Sequence, residues 1–323
     1  MALVAGASRG LGLAVARELG RAGYPLVVCA RTADELNRGA DLLRDDGYEV
    51  EAMVCDVSDH EVVEAMVATV ERRIGPIEVM VCVAGIIQVG PLAALRRSHF
   101  ESAIGTMLWG PVNTSLAVSE RMRRRGRGRI GVITSIGGQI AAPHLLPYST
   151  AKFGAVGFSR GLRSELADSR VTVTTVIPGL MRTGSPGRAS FVGDHGREYA
   201  WFATAASLPV LSIDADRAAQ RIVQGVLRGS STVVLTPLAA LAPVVAAVAP
   251  RTTAALLATV QRMLPSAPGS SRIGPADTID GWQAVRRLTA RTRALVDRLT
   301  VWNQRAAQRL NEPSGRGSAP DEA

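Results

Sequence analysis

Lysine is almost missing from this sequence. Of the 37 lysine and arginine residues among its 323 residues, 36 are arginine, and the one lysine is Lys152. The net charge of +9 raises the question of nucleic-acid binding. However, only residues 121–129 form a dense basic run, and scattered arginines are typical of solvated protein faces. We interpret the run as a solvated helix cap, because cations suit a helix C-terminus, and no nucleic-acid partner is expected.

Cysteine and aromatic residues are also scarce. Cys29, Cys55 and Cys82 each lie in an apolar, strand-like run, which predicts buried thiols in a reducing compartment and excludes a disulfide framework or a cysteine metal site. Aromatic residues make up 4% of the chain. The core must therefore consist mainly of Ala, Val, Leu and Ile.

Two further signals are missing. The four histidines show no metal-ligand spacing, so no metal is expected. The N-terminus has no basic segment of the kind that begins a signal peptide, so we expect a cytoplasmic protein. The histidines are His60, His99, His144 and His195.

Apolar runs and amphipathic stretches alternate over residues 1–236. Continuous apolar runs are typical of strands that are covered on both faces. The alternation predicts an α/β fold with a doubly wound parallel sheet of about seven strands, whose ligand site lies at the carboxyl ends of the strands. The predicted strands are Ala2–Ala5, Pro25–Ala30, Val50–Val57, Ile77–Val83, Arg129–Ser135, Val171–Ile177 and Thr232–Leu235.

The composition changes after residue 236. We predict a helical C-terminal extension over residues 237–312 and a disordered tail over residues 313–323. Val233–Ala249 is apolar, but it is short for a membrane span and contains two prolines. Pro265–Asp277 is interpreted as a linker, and Gly281–Asn311 as one long basic amphipathic helix. That helix could pack on its own domain, on a partner subunit or on a membrane surface.

A glycine-rich loop follows the first predicted strand. Glycines let the backbone approach a pyrophosphate, and the N-terminus of the next helix adds positive potential. The spacing differs from the usual dinucleotide fingerprint, so a loop without a ligand is the alternative. The candidate cofactor-binding residues of this loop are Gly6, Ser8, Arg9, Gly10, Leu11 and Gly12.

The end of the second predicted strand bears on the choice of cofactor. An acidic residue there would select NAD through the ribose hydroxyls, but Arg31 stands at this place. Arg31 and Arg9 together favour a 2′-phosphate and hence NADP over NAD, unless Arg31 is only a solvated residue. Asp56 could accept a hydrogen bond from adenine, or it could cap the next helix.

Tyr148 and Lys152 are four residues apart, which places them on one face of a predicted helix. An ammonium beside a phenol lowers the pKa of the phenol and makes it a usable acid or base for a carbonyl/alcohol pair. Ser135, at the end of a predicted strand, can hydrogen-bond the substrate oxygen. We therefore predict Ser135, Tyr148 and Lys152 as the catalytic residues.

This set of motifs resembles the short-chain dehydrogenase/reductase family, a group of Rossmann-fold NAD(P)-dependent oxidoreductases, over residues 2 to about 236. The resemblance implies that Tyr148 donates the proton, Lys152 binds the nicotinamide ribose and Ser135 orients the carbonyl. It also implies a homo-oligomer that pairs through the helices around residues 92–125 and 148–168. The matching residues are Gly6, Gly10, Gly12, Asp56, Val57, Ala84, Gly85, Ser135, Tyr148, Lys152, Pro178, Gly179 and Thr183.

The sequence departs from the family at two places. Cys82 and Val83 replace two asparagines before Ala84-Gly85, and Met107 replaces the asparagine that holds a water in the proton relay. Methionine cannot take that role, because its sulfur is only a weak acceptor. Asn113 lies nearby, but on the wrong side of Gly110.

Two functions remain open at this point. The first is an NADP-dependent oxidoreductase acting on a ketone or secondary alcohol. Residues 180–209 would form an apolar lid over a lipophilic substrate. The alternative for this stretch is that its aromatic residues simply pack on the domain. His144 could touch the substrate. The second is a non-enzymatic NADP(H)-binding protein whose C-terminal helices dock a partner or a membrane surface. The Ser135, Tyr148 and Lys152 set favours the first.

Overall fold

The computed structural model of the protein describes residues 1–207, 212–266 and 278–312. The predicted linker falls almost entirely, and the predicted tail wholly, outside the described residues. The predicted division of the chain at residue 236 stays a prediction.

Seven parallel strands form the central sheet, in the spatial order β3-β2-β1-β4-β6-β7-β11. β1 pairs with β2 on one side and with β4 on the other, so the strand order reverses at β1 and opens a crevice at the carboxyl ends. The doubly wound sheet predicted from the sequence is confirmed. Its strands are β1 (Ala2–Ala5), β2 (Leu26–Ala30), β3 (Val50–Val54), β4 (Val79–Cys82), β6 (Gly128–Ile133), β7 (Val171–Ile177) and β11 (Thr232–Val234).

Helices cover both faces of this sheet and create two aliphatic cores. One core lies under α1, α2 and α8, and the other lies under α3, α5 and α6. The three cysteines are free and buried, as predicted. The helices are α1 (Gly10–Arg21), α2 (Ala33–Asp45), α3 (His60–Arg73), α4 (Arg97–Ile104), α5 (Gly110–Arg125), α6 (Leu146–Glu165), α7 (His195–Ser207) and α8 (Ala215–Leu227).

Short strands and single helical turns lie at the carboxyl edge of the sheet. β5, β9 and β12 form one small sheet, and β8 pairs with β10. A π-helical turn at Gly105–Trp109 joins α4 to α5, and single 3₁₀ turns occupy Leu92–Ala94, Ile136–Gly138 and Ser185–Gly187. The strands are β5 (Gln88–Val89), β8 (Leu180–Arg182), β9 (Ser190–Phe191), β10 (Ser212–Asp214) and β12 (Ile279–Asp280).

The C-terminal extension is helical, but the prediction of one long helix over Gly281–Asn311 is wrong. Three helices occupy this stretch: α11 (Gly281–Arg286), α12 (Ala290–Leu299) and α13 (Val301–Arg309). The side chain of Thr289 accepts a hydrogen bond from the backbone N–H of Thr292 and thereby starts α12 as a separate helix.

The first part of the extension consists of α9 (Pro237–Val248) and α10 (Pro250–Met263). Among the described residues, no single helix combines the length and the hydropathy needed to cross a bilayer. α9 and α10 meet those criteria only when taken together, and their axes are bent by 119°.

The basic run at residues 121–129 ends α5, as its interpretation as a helix cap requires. Gly126 terminates the helix with a left-handed φ of 65°. Arg125 binds both carboxylate oxygens of Glu71 at 2.8 and 2.9 Å, and Arg121 pairs with Glu64 at 2.5 Å. Acidic residues of α3 therefore neutralise part of this run.

Candidate active site

One cavity of about 540 Å³ opens at the carboxyl edge of the sheet. This volume is typical of small-molecule and cofactor sites. The cavity is lined by every residue that the sequence predicted for the site: Gly6, Ser8, Arg9, Gly10, Leu11, Gly12, Arg31, Asp56, Val57, Ala84, Gly85, Ser135, Tyr148, Lys152, Pro178, Gly179 and Thr183.

The glycine-rich loop forms one end of the cavity. Gly6 has a left-handed φ of 86°, and a Cβ atom on Gly12 would overlap the carbonyl oxygen of Gly6. The first turn of α1 therefore packs directly on the loop, and only glycine permits this approach. The loop presents backbone N–H groups at the start of α1, so it fits the pyrophosphate of a dinucleotide.

The part of the cavity beside the end of β2 carries mixed charge. Arg31 is open to solvent, with 70% of its side chain exposed, and lies 4.0 Å from Asp56. Arg9, in contrast, forms an ion pair with Glu35, a residue that sequence reasoning did not identify. Asp56 does not cap α3, because Asp59 does so; Asp56 accepts hydrogen bonds from the backbone and the hydroxyl of Ser58 at 2.9 and 2.7 Å.

Ser135 and Tyr148 lie close together at the other end of the cavity. The hydroxyl oxygen of Ser135 accepts a hydrogen bond from the N–H of Gly137 at 3.0 Å, which holds the hydroxyl at the end of β6. A Cβ atom on Gly137 would lie 3.0 Å from the ring of Tyr148. Glycine at this position therefore lets the phenol ring pack against the serine loop.

Lys152 projects from α6, one turn beyond Tyr148. Its side chain is buried, and Nζ donates a hydrogen bond to the carbonyl oxygen of Ile133 at 2.8 Å. Nζ lies 5.9 Å from the centre of the Tyr148 ring. Burial lowers the pKa of Lys152 to about 8, because a buried ammonium loses hydration that one hydrogen bond only partly replaces.

The expected lowering of the Tyr148 pKa is not found in this structure. Burial raises the pKa of Tyr148, and a hydrogen bond with Ser135 acts in the opposite direction. The expectation considered the charge of Lys152 alone. In this structure the ammonium of Lys152 donates its hydrogen bond to Ile133, and desolvation of the phenolate decides the direction in which the Tyr148 pKa shifts.

Met107 fills the place of the family asparagine. Its side chain is 1% exposed and packs with Ala103, Ala151 and Tyr148. Asn113 is engaged elsewhere, since its amide nitrogen donates to the carbonyl oxygen of Val57 at 3.0 Å. The structure therefore places an apolar side chain, and not an amide, behind the phenol.

His144 and the aromatic residues after β7 belong to the core. The ring nitrogens of His144 contact Glu198 at 2.9 Å and Gln261 at 3.1 Å, and His144 is not among the residues that line the cavity. Phe191, Tyr199 and Phe202 are buried in a cluster with α11 and α12. The described part of the predicted lid thus favours the alternative, aromatic packing on the domain.

Four charged residues that line the cavity carry no sequence motif: Glu35, Arg188, Asp280 and Glu312. Arg188 forms an ion pair with Glu35, and Glu312 lies 3.3 Å from the Nε atom of Arg9. Their positions along the chain are far apart, so no local spacing could have grouped them.

Comparisons with known proteins agree with this geometry. The family described as short chain dehydrogenase matches residues 1–189. A Streptomyces coelicolor protein assigned as a ketoacyl reductase is 40% identical over 185 residues, which cover 57% of this chain and 71% of the relative. The 3-oxoacyl-[acyl-carrier-protein] reductase of Pseudomonas aeruginosa is 34% identical over 183 residues, covering 57% and 74% of the two chains.

Two solved structures are also similar. The actinorhodin polyketide ketoreductase with NADPH is 31% identical, with a TM-score of 0.65, and the match covers 74% of this chain and 96% of that one. A short-chain dehydrogenase from Streptomyces avermitilis is 27% identical, with a TM-score of 0.69 over 81% and 97% of the two chains. Fold, site geometry and sequence agree, and the chain is an oxidoreductase that belongs to the short-chain dehydrogenase/reductase family.

Proposed function

We propose that the protein is an NADP-dependent oxidoreductase that interconverts a ketone and a secondary alcohol on a lipophilic small molecule. The observation that carries this proposal is the convergence of Ser135, Tyr148 and Lys152 in one cavity with the glycine-rich loop. The similarity to ketoacyl reductases supports a carbonyl substrate.

In the reduction, Tyr148 gives its hydroxyl proton to the carbonyl oxygen, and the hydroxyl of Ser135 hydrogen-bonds the same oxygen as negative charge develops. NADPH, when bound, supplies the hydride that adds to the carbonyl carbon. The ammonium of Lys152 stabilises the phenolate that remains on Tyr148. The raised pKa of Tyr148 keeps the phenol protonated at neutral pH, as a proton donor must be.

The cofactor preference rests on Arg31, whose exposed guanidinium at the end of β2 can bind a 2′-phosphate. The similar ketoreductase structure contains NADPH. A lipophilic substrate is supported by apolar side chains that line the cavity, which include Ile86, Met107 and Met181. Ile86 and Met107 pack in one cluster with Tyr148.

The test is a screen of apolar ketones with NADPH and with NADH, comparing wild type with Tyr148→Phe. We expect turnover with NADPH to exceed turnover with NADH, and Tyr148→Phe to lower kcat on the order of 1,000-fold while NADPH binding persists. Tyr24→Phe is the control, because Tyr24 precedes β2 at the opposite edge of the sheet. Unchanged turnover by Tyr148→Phe would refute the proposed mechanism.

A further inference from the structure

The end of the C-terminal extension lies on the glycine-rich loop. The N–H of Gly10, the first residue of α1, donates a hydrogen bond to the carbonyl oxygen of Leu310 at 2.8 Å. The amide nitrogen of Asn311 donates to the carbonyl oxygens of Ser8 at 2.7 Å and Glu35 at 3.1 Å. Two consecutive residues of the extension therefore bind the loop that would hold the pyrophosphate.

Glu312 completes this contact with a carboxylate. Its side chain is 5% exposed, and one oxygen would lie 3.1 Å from a Cβ atom on Gly10. The other oxygen lies 3.3 Å from the Nε atom of Arg9, yet it has no hydrogen-bond partner among the residues that the structure describes. A buried carboxyl group thus sits at the N-terminus of α1, where a phosphate would be stabilised.

The backbone directs Glu312 to this position. α13 is anchored on the catalytic domain through Asn303, which accepts from the N–H of Gly184 at 3.0 Å and donates to Ser207 at 3.0 Å. Asn311 then adopts a left-handed conformation with a φ of 56°. This ends the helical segment and turns the chain so that Glu312 points back into the cavity.

We propose that Leu310–Glu312 is an autoinhibitory strap that occupies the pyrophosphate site and must withdraw before a dinucleotide can bind. The inference rests on the proposed function only in requiring a dinucleotide at the glycine-rich loop. It does not depend on the choice between NADP and NAD, because both cofactors carry the same pyrophosphate.

Docking of the strap buries the carboxyl group of Glu312, and this desolvation cost favours displacement of the strap. Burial raises the pKa of Glu312 to about 7, against the opposing effect of Arg9 and Arg188. The same two arginines already pair with Glu35. A cofactor phosphate can therefore replace the carboxylate of Glu312 beside Arg9 and relieve its desolvation.

The first test measures binding of NADPH and of NADH, each by calorimetry, to full-length wild type, Glu312→Gln and Asn311→Ala. A strap that is docked in nine-tenths of the molecules weakens apparent affinity about tenfold, so both variants should bind both cofactors up to about tenfold more tightly. Glu120→Gln, an exposed acidic residue near the end of α5, should bind like wild type.

The second test is hydrogen–deuterium exchange on the wild-type protein. NADPH should slow exchange over residues 6–12 and accelerate exchange over residues 306–312, because the cofactor displaces the strap. Slower exchange in both segments on addition of NADPH would overturn the strap proposal. Unchanged cofactor affinity in both Glu312→Gln and Asn311→Ala would also overturn it. Equal affinity of wild type for NADPH and NADH would contradict only the proposed cofactor preference.

Discussion

At the scale of single residues, the proposed chemistry depends on the hydrogen bonds that hold the predicted catalytic groups. Lys152 is tied to the end of β6 through Ile133, and Ser135 is held by Gly137. Tyr148 is packed on Met107. The phenol therefore keeps a fixed position, while its protonation is governed mainly by burial.

The lowered pKa of Lys152 predicts a pH dependence. In the proposed mechanism, reduction requires the ammonium form of Lys152, which is present below its pKa of about 8 and is lost as the pH rises through that value. The raised pKa of Tyr148 keeps the proton donor intact over the same range. We expect kcat/KM for ketone reduction to fall above about pH 8.

The matched variant is Lys152→Arg, whose guanidinium does not titrate in this range. It should be less active than wild type, since its planar group cannot replace the hydrogen bond to Ile133, but its activity should show no decline between about pH 7 and pH 9.5. A wild-type profile that is flat to pH 9.5 would contradict the assignment of this step to Lys152.

At the scale of elements, α9 and α10 present an unusual surface. Ala239 is the one buried residue of α9, and α10 has none. Leu241, Val248 and Met263 have exposed fractions of 64%, 81% and 79%. The only charged residues between positions 237 and 263 are two arginines. An apolar surface with charges of a single, positive sign favours an anionic lipid surface as the partner.

We predict that the protein sediments with vesicles of phosphatidylglycerol and phosphatidylcholine. Val248→Glu should abolish this binding, because it places a carboxylate at the most exposed apolar position of α9. Leu92→Glu, a comparable change at a residue that is 71% exposed outside the helix pair, should bind as wild type does. Two results would contradict the prediction. The first is that the wild-type protein does not sediment with the vesicles, and the second is that the wild-type protein self-associates through this surface and Val248→Glu removes that self-association.

At the scale of the whole molecule, α5, α6 and the π-helical turn before α5 carry further exposed apolar side chains. Trp109, Leu116 and Phe153 are 54%, 50% and 46% exposed, and they lie within the helical regions that the family resemblance assigns to subunit pairing. Burying these side chains against a second copy would remove apolar area from water. These side chains therefore support a homo-oligomer.

We predict a dimer or larger assembly in solution, measured by light scattering during size-exclusion chromatography. Leu116→Glu should reduce the mass to that of the monomer, because a carboxylate would be buried without a partner. Val62→Glu is the control, since Val62 is 40% exposed on α3. A monomeric wild type, or an unchanged mass for Leu116→Glu, would contradict the prediction.

The sequence by itself determined the parallel sheet, the glycine-rich loop and the spacing of Tyr148 and Lys152. These features are local: strand and helix periods span a few residues, and carboxyl ends of parallel strands meet at one edge of a sheet. The prediction of one continuous helix over Gly281–Asn311 was wrong, because regular apolar spacing along the sequence does not reveal the helix cap at Thr289.

Only the tertiary structure decided the electrostatics of the site. Desolvation set the direction of the Tyr148 pKa, and no sequence pattern reports burial of that kind. Likewise, Asn311 and Ser8 are 303 positions apart in the chain, yet they are hydrogen-bonded partners. Burial and long-range contact arise when distant segments pack together, so they depend on the fold as a whole.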